Sequence, residues 1–235
     1  MNVSPRIVLI HAIEMAINPI MRAFEVHWPE VETINILDDS LSRDRAKSDA
    51  LDCKMMDRFL KLGDYALSID ADGILFTCSA FGPAIEAVAK QHEIPVLKPN
   101  EAMFSMALKQ GKNIGMLVTF ENSIKVMSQE FYEMAKAINS DAILDVILVK
   151  DAISHLKQGF MDEHNRLIAQ TAKELKDCDA LMLAQFSMAN AWKSVSEQLD
   201  IPVLTAPDAA AKLMKQKIKI RIISINLILV ELIKF

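Results

Sequence analysis

One offset organises this sequence. DGILFTCSAFGPA at 72–84 and DALMLAQFSMANA at 179–191 lie 107 positions apart, IPVL recurs at Ile94 and Ile201, and IVLIHA from Ile7 meets IGMLVT from Ile114. Three matched segments at one spacing, in the same order and without a gap, indicate a duplicated unit. A chain of 235 residues can bury one large core or two modest ones. The repeat selects two.

Each unit carries the same kind of element. Apolar runs bounded by turn residues fall at 6–10, 33–37, 73–76 and 95–97, and again at 113–118, 143–149, 180–184 and 202–204, with segments of helical apolar spacing between them, such as 46–69 and 164–175. Short buried strands alternating with helices predict an α/β fold with mainly parallel sheets flanked by helices, here as two pseudosymmetric lobes. We assign residues 1–105 plus 200–214 to the first lobe and 106–199 to the second. An atypical apolar tail follows at 215–235, whose alternation of Lys or Arg with Ile suggests a half-exposed strand. Ligands of open α/β sheets bind beyond the carboxyl ends of the strands, so the site is expected in a cleft between the lobes, with Cys78 opposite Gln185.

Composition narrows the partner. The chain has 31 acidic against 26 basic side chains, a net charge of −5, and no basic patch before its last twenty residues. That balance argues against nucleic acid and for a small molecule. The first residues show no leader pattern, and charges interrupt the apolar tail too often for a membrane span. Three cysteines (Cys53, Cys78, Cys178) have neither metal-ligand nor disulfide spacing, so a reducing cytoplasm is the expected setting. No glycine-rich nucleotide motif occurs, and His164 lacks an HxxxH or HxxE spacing with a third ligand, hence no cofactor and no metal are expected.

Cys78 is the residue most suited to chemistry. It sits where the buried run GILF gives way to a helix start at Gly82–Pro83, facing N–H groups that favour a thiolate. A thiolate there could serve as base, proton donor or nucleophile; a buried, inert thiol is the alternative. His11, at the end of the first strand, is the candidate for a second acid or base, or for a structural hydrogen bond. His164 opens a helix beside Asp162 and Glu163, where capping and packing account for it. Cys178 lies ahead of its strand, at the end away from Gln185.

The TCS at 77–79, LAQFSM at 183–188, the paired IPVL, the strand ending LVTFENS and the turn-helix segment GFMDEHNRLIAQTAKEL at 159–175 resemble the aspartate/glutamate/hydantoin racemase superfamily. The likeness covers about residues 5–214. It implies a cofactor-independent racemase or isomerase that transfers a proton at the carbon alpha to a carboxylate of an amino acid or related small acid. It further implies Cys78 as acid or base, with Thr77, Ser79 and Thr119 binding the substrate carboxylate. Gln185, Phe186 and Ser187 would line the matching turn of the second lobe.

One departure bears on the reaction. Superfamily racemases pair two thiols, whereas the second position here is Gln185, and an amide is neither acid nor base near neutral pH. The chain is similar in this respect to arylmalonate decarboxylases, which keep a single cysteine, though in the other lobe. A single-cysteine decarboxylase, a cis-trans isomerase and a non-catalytic carboxylate-binding protein therefore stand beside racemisation. The resemblance also implies self-association, as a homodimer or higher homo-oligomer.

Overall fold

The structure, a computed structural model, describes residues 4–47 and 51–232, with side chains to Ser224. Each half of the chain builds its own four-stranded parallel sheet. The first contains β1 (Arg6–His11), β2 (Glu32–Leu37), β3 (Gly73–Phe76) and β4 (Val96–Leu97) in the order β2-β1-β3-β4. Its helices are α1 (Ile17–His27), α2 (Ser40–Arg45), α3 (Cys53–Ser68) and α4 (Gly82–Gln91). The central strands β1 and β3 are apolar almost throughout and buried, as strands covered on both faces must be. β2, at the edge, alternates exposed and half-buried residues.

In the second half α5 (Glu101–Ala107) precedes β5 (Asn113–Val118), α6 (Ser123–Ala137) and β6 (Ile143–Leu148). Next come α7 (Ala152–Lys157), α8 (Met161–Ala172), β7 (Ala180–Leu183), α9 (Trp192–Ser196) and β8 (Val203–Thr205), giving the sheet order β6-β5-β7-β8. The repeat extends to register: Ile7 pairs with Gly73 in the first sheet, and Ile114 with Ala180 in the second, each 107 residues on. The acid that opens each repeated segment has the same task. Asp72 accepts from the Arg6 N–H at 2.8 Å, and Asp179 accepts from the Asn113 N–H at 2.8 Å, so each side chain ties the start of one central strand to its neighbour.

The chain divides into two compact units, one built on Met21–Lys98 with the pieces up to Glu14 and from Ala211 onward, the other on Pro99–Ala210 with Met15–Ile20. This corrects the boundaries drawn from sequence. Residues 203–205 do not return to the first lobe; β8 pairs with β7, completing the second sheet. The crossing into the first unit comes later, inside α10 (Ala206–Leu232).

That helix also corrects the expected strand at 215 onward. Ala206, Ala210, Ala211, Met214 and Ile218 are buried at helical spacing, so a helix is already running when the Ile-rich stretch begins. The β-preference of isoleucine is too weak to stop it. Gly73 makes room for the helix: a Cβ there would stand 2.8 Å from Met214 Sδ. Residues 233–235 of the tail lie outside the described residues. Among those described, no helix is long and apolar enough to cross a membrane.

Candidate functional site

Cys78 follows β3 in extended backbone, then Ser79–Phe81 form a 3-10 turn and α4 begins with Gly82 and Pro83. The Thr77 N–H donates to the Ile10 carbonyl at 3.0 Å, which holds the last residues of β3 against β1. Phe59 stacks on Phe76 at 5.2 Å and lies 4.8 Å from Phe81, so three aromatic rings wall the turn. His11, Leu41 and these three rings share with Cys78 a narrow crevice that has no room for a water molecule.

The sulfur is not a free thiolate at rest. Burial pushes the Cys78 thiol above its ordinary value, while the Ala80 N–H and the charge of Arg45 pull it part of the way back. Against the thiolate expected from the turn, desolvation is the larger effect on a half-buried residue. The resting group is a thiol, which can give up a proton.

His11 is the final residue of β1 and is wholly buried, not placed at an open edge. Its Nε2 lies 2.9 Å from Asn35 Oδ1 and its Nδ1 2.9 Å from Thr77 Oγ1. Burial lowers its pKa, opposed by the Asn35 hydrogen bond, so the ring is neutral near pH 7. With Nε2–H donating to the Asn35 carbonyl oxygen, Nδ1 accepts the Thr77 hydroxyl proton. In that arrangement the Thr77 hydroxyl faces His11, with the Ile10 carbonyl 3.4 Å away. Ser79 stands half-buried on the turn.

The second unit repeats the geometry with other groups. Ala184 occupies the place of Thr77, its N–H donating to the Leu117 carbonyl at 3.1 Å. Gln185 follows in extended backbone and leads into a 3-10 turn over Phe186–Ala191. Its Oε1 accepts from the Thr119 N–H at 2.9 Å and from the Thr119 hydroxyl at 3.4 Å. Its Nε2 donates to Ser123 Oγ at 3.0 Å, and that hydroxyl donates to the Phe120 carbonyl at 2.6 Å. Gln185 therefore clasps the end of β7 to the β5–α6 turn. Phe186 and Ser187 are buried in the turn.

Two groupings thus emerge from the sequence candidates: Cys78 with Thr77 and His11, and Gln185 with Thr119. Sequence reasoning missed Asn35, Ser123 and Arg45. Asn35 could have been noticed as a polar residue inside the apolar run TINIL; Ser123 and Arg45 give no comparable signal. Cys178 has its thiol raised by burial and by Asp145, Asp179 and Asp177, and it packs near Gly115 in β5. His164 is buried on α8, its Nδ1 2.9 Å from Asn165 Oδ1. No group of three metal-ligating side chains occurs among the described residues. A larger hollow, about 460 Å³, lies between α4, β4 and α10, away from Cys78.

Two parallel sheets of identical strand order, each ending its third strand in a reactive or polar residue on a 3-10 turn, define a two-lobed α/β architecture. The chain belongs to the Asp/Glu/hydantoin racemase family, which matches residues 20–218. Aspartate racemase from Picrophilus torridus is similar in fold, with a TM-score of 0.71 at 14% identity over 92% of this chain and 95% of that one. Allantoin racemase from Klebsiella pneumoniae has a TM-score of 0.68 at 16% identity, covering 92% and 89%. A mutant arylmalonate decarboxylase in its sulfate-associated form has a TM-score of 0.68 at 11% identity, covering 92% and 94%. No individually curated protein matches the sequence.

Proposed function

We propose that this protein is a cofactor-independent enzyme of the racemase and isomerase type, moving a proton at the carbon alpha to a carboxylate in an amino acid or related small acid. The observation that carries the reading is Cys78 at the carboxyl end of β3, on the turn that starts α4, in a chain of the racemase family. Cys78 is the acid or base. Ser79 and the N–H groups of the turn meet the substrate carboxylate and stabilise the enediolate that forms when the α-proton leaves. His11 and Thr77 hold the strand end, and Thr119, Gln185, Phe186 and Ser187 shape the equivalent turn of the second unit.

Gln185 favours a second reading within the same chemistry. Its amide cannot exchange a proton, and the Cys78 thiol is held protonated by burial. A single protonated thiol suits an enzyme that delivers a proton to a carbanion, as a decarboxylase does after loss of CO2; a one-base cis-trans isomerase fits the same inventory. The test is incubation in D2O with single enantiomers of small amino and hydroxy acids and with substituted malonates, followed by NMR, polarimetry and CO2 detection. Loss of the α-proton signal with inversion supports racemisation, and CO2 release supports the decarboxylase. Either activity should vanish in Cys78→Ala; activity that survives this substitution overturns the assignment.

A further inference from the structure

The hollow of about 460 Å³ between α4, β4 and α10 lies within the first unit and shares no residue with the Cys78 crevice. It exists because β4 is the edge of its sheet and only two residues long. α4 packs Ala84, Ile85 and Val88 on the face that holds Ile74, whereas Met214 and Ile218 of α10 meet the face of Gly73. Neighbouring residues of a strand point to opposite faces, so the two helices cover opposite sides of the sheet and leave a gap at its edge. In the second unit the matching edge strand is β8, and Trp192 of α9 lies against it, donating its indole N–H to the Val203 carbonyl at 3.0 Å. Along β4 the hollow stays open.

Its lining joins an apolar floor to two cations. Ile94 is buried, Pro95 and Val96 are half-buried, and Ile220 is 55% exposed. Lys217 and Arg221 stand four residues apart on α10, hence on one face of the helix together with Ile220. Among the described residues neither cation has an ion-pair or side-chain hydrogen-bond partner, in contrast to Lys215, which donates to the His27 carbonyl at 2.9 Å. Glu93 is the one acid on the lining. His92 is drawn toward α3, its Nε2 3.4 Å from Asp64. We propose that this groove binds a small organic anion with an apolar body, the acid group meeting Lys217 and Arg221 and the hydrocarbon lying on Ile94, Pro95, Val96 and Ile220. Its volume falls within that of small-molecule sites, about 300–1,000 Å³. Two unpaired cations against one carboxylate select an anion, in a chain whose net charge of −5 would otherwise repel one. The site is separate from the Cys78 turn and does not depend on the reaction proposed there.

The test is calorimetric titration of the full chain with sodium octanoate, octanol and octylammonium chloride, which share one apolar body and differ in charge. Octanoate should saturate a single site and bind more tightly than octanol, with octylammonium weakest. Lys217→Gln and Arg221→Gln should each weaken octanoate by about two- to fivefold, the range of an exposed ion pair. Glu93→Gln should tighten it by a similar factor, a gain that a damaged fold cannot produce. Added sodium chloride should weaken octanoate by screening the two cations. Absence of saturable octanoate binding overturns the proposal, and octanol binding as tightly as octanoate overturns the choice of an anion. Octanoate that binds but ignores all three substitutions sits elsewhere on the protein, which also overturns it.

Discussion

Replacing Gln185 by leucine removes the clasp of the second unit while nearly keeping side-chain volume, so the loss is polar, not a cavity. Gln185 Oε1 takes the Thr119 N–H at 2.9 Å, and Thr119 is only 5% exposed, leaving that donor little access to water once the amide is gone. A buried donor left unmet costs about 1–3 kcal/mol. Ser123 loses one incoming donor but keeps its own bond to Phe120, adding about 1 kcal/mol or less. The 3.4 Å contact with the Thr119 hydroxyl is too long to add much. The expected total is about 2–3 kcal/mol, which lowers Tm by roughly 5–10 °C in a chain of this size. Scanning calorimetry of wild type, Gln185→Leu and Gln185→Glu measures it. Glutamate still accepts the Thr119 N–H and should lose less than half as much. A leucine variant melting within about 1 °C of wild type would refute the clasp and return Gln185 to the list of substrate-facing groups.

Two further outcomes follow from buried groups. His11 and His164 are both held neutral by burial, with pKa values below the ordinary 6.5. The unfolded chain therefore takes up protons first as pH falls. Stability is complete above pH 6.5 and declines below it until the folded pKa values are passed, with a slope of at most about 1.4 kcal/mol per pH unit for each ring. The acids with lowered pKa values, Asp38, Asp44, Asp141 and Glu163, begin to cost stability only at lower pH, near the ordinary carboxylate range. Urea unfolding between pH 7.5 and 5.5 should show the histidine slope reduced in His164→Phe, and an unchanged slope would contradict it. Gly73→Ala should destabilise by about 1–3 kcal/mol through overpacking, because the new Cβ would sit 2.8 Å from Met214 Sδ and 3.1 Å from Ile7 Cδ1. Adding Met214→Ala should relieve part of that cost, and strict additivity of the two would count against the contact.

Much of the architecture is legible in the chain because duplicated sequence meets the same physical demands twice. The buried central strands need continuous apolar runs and the edge strands keep shorter ones, so their places were recognisable, and the offset of 107 carried through to strand register and to the Asp72 and Asp179 clasps. Cys78 at a strand-to-helix junction was legible for the same reason, since TCS followed by Gly-Pro marks the junction locally.

What the linear order could not supply is which groups face each other across strands. His11 and Asn35 are 24 residues apart, and only the pairing of β1 with β2 turns them into hydrogen-bonded neighbours beside Thr77. The charge state of Cys78 was decided in the same way. Turn chemistry near in sequence favours a thiolate, but Phe59, brought in from α3, packs with the local Phe76 and Phe81 around the turn, and desolvation is the larger effect. Local sequence determined the elements and their repeat, because backbone pattern and burial are written residue by residue. Tertiary structure decided the partners, the return of β8 to its own sheet and the helical course of the tail, because those depend on what each surface meets once folded.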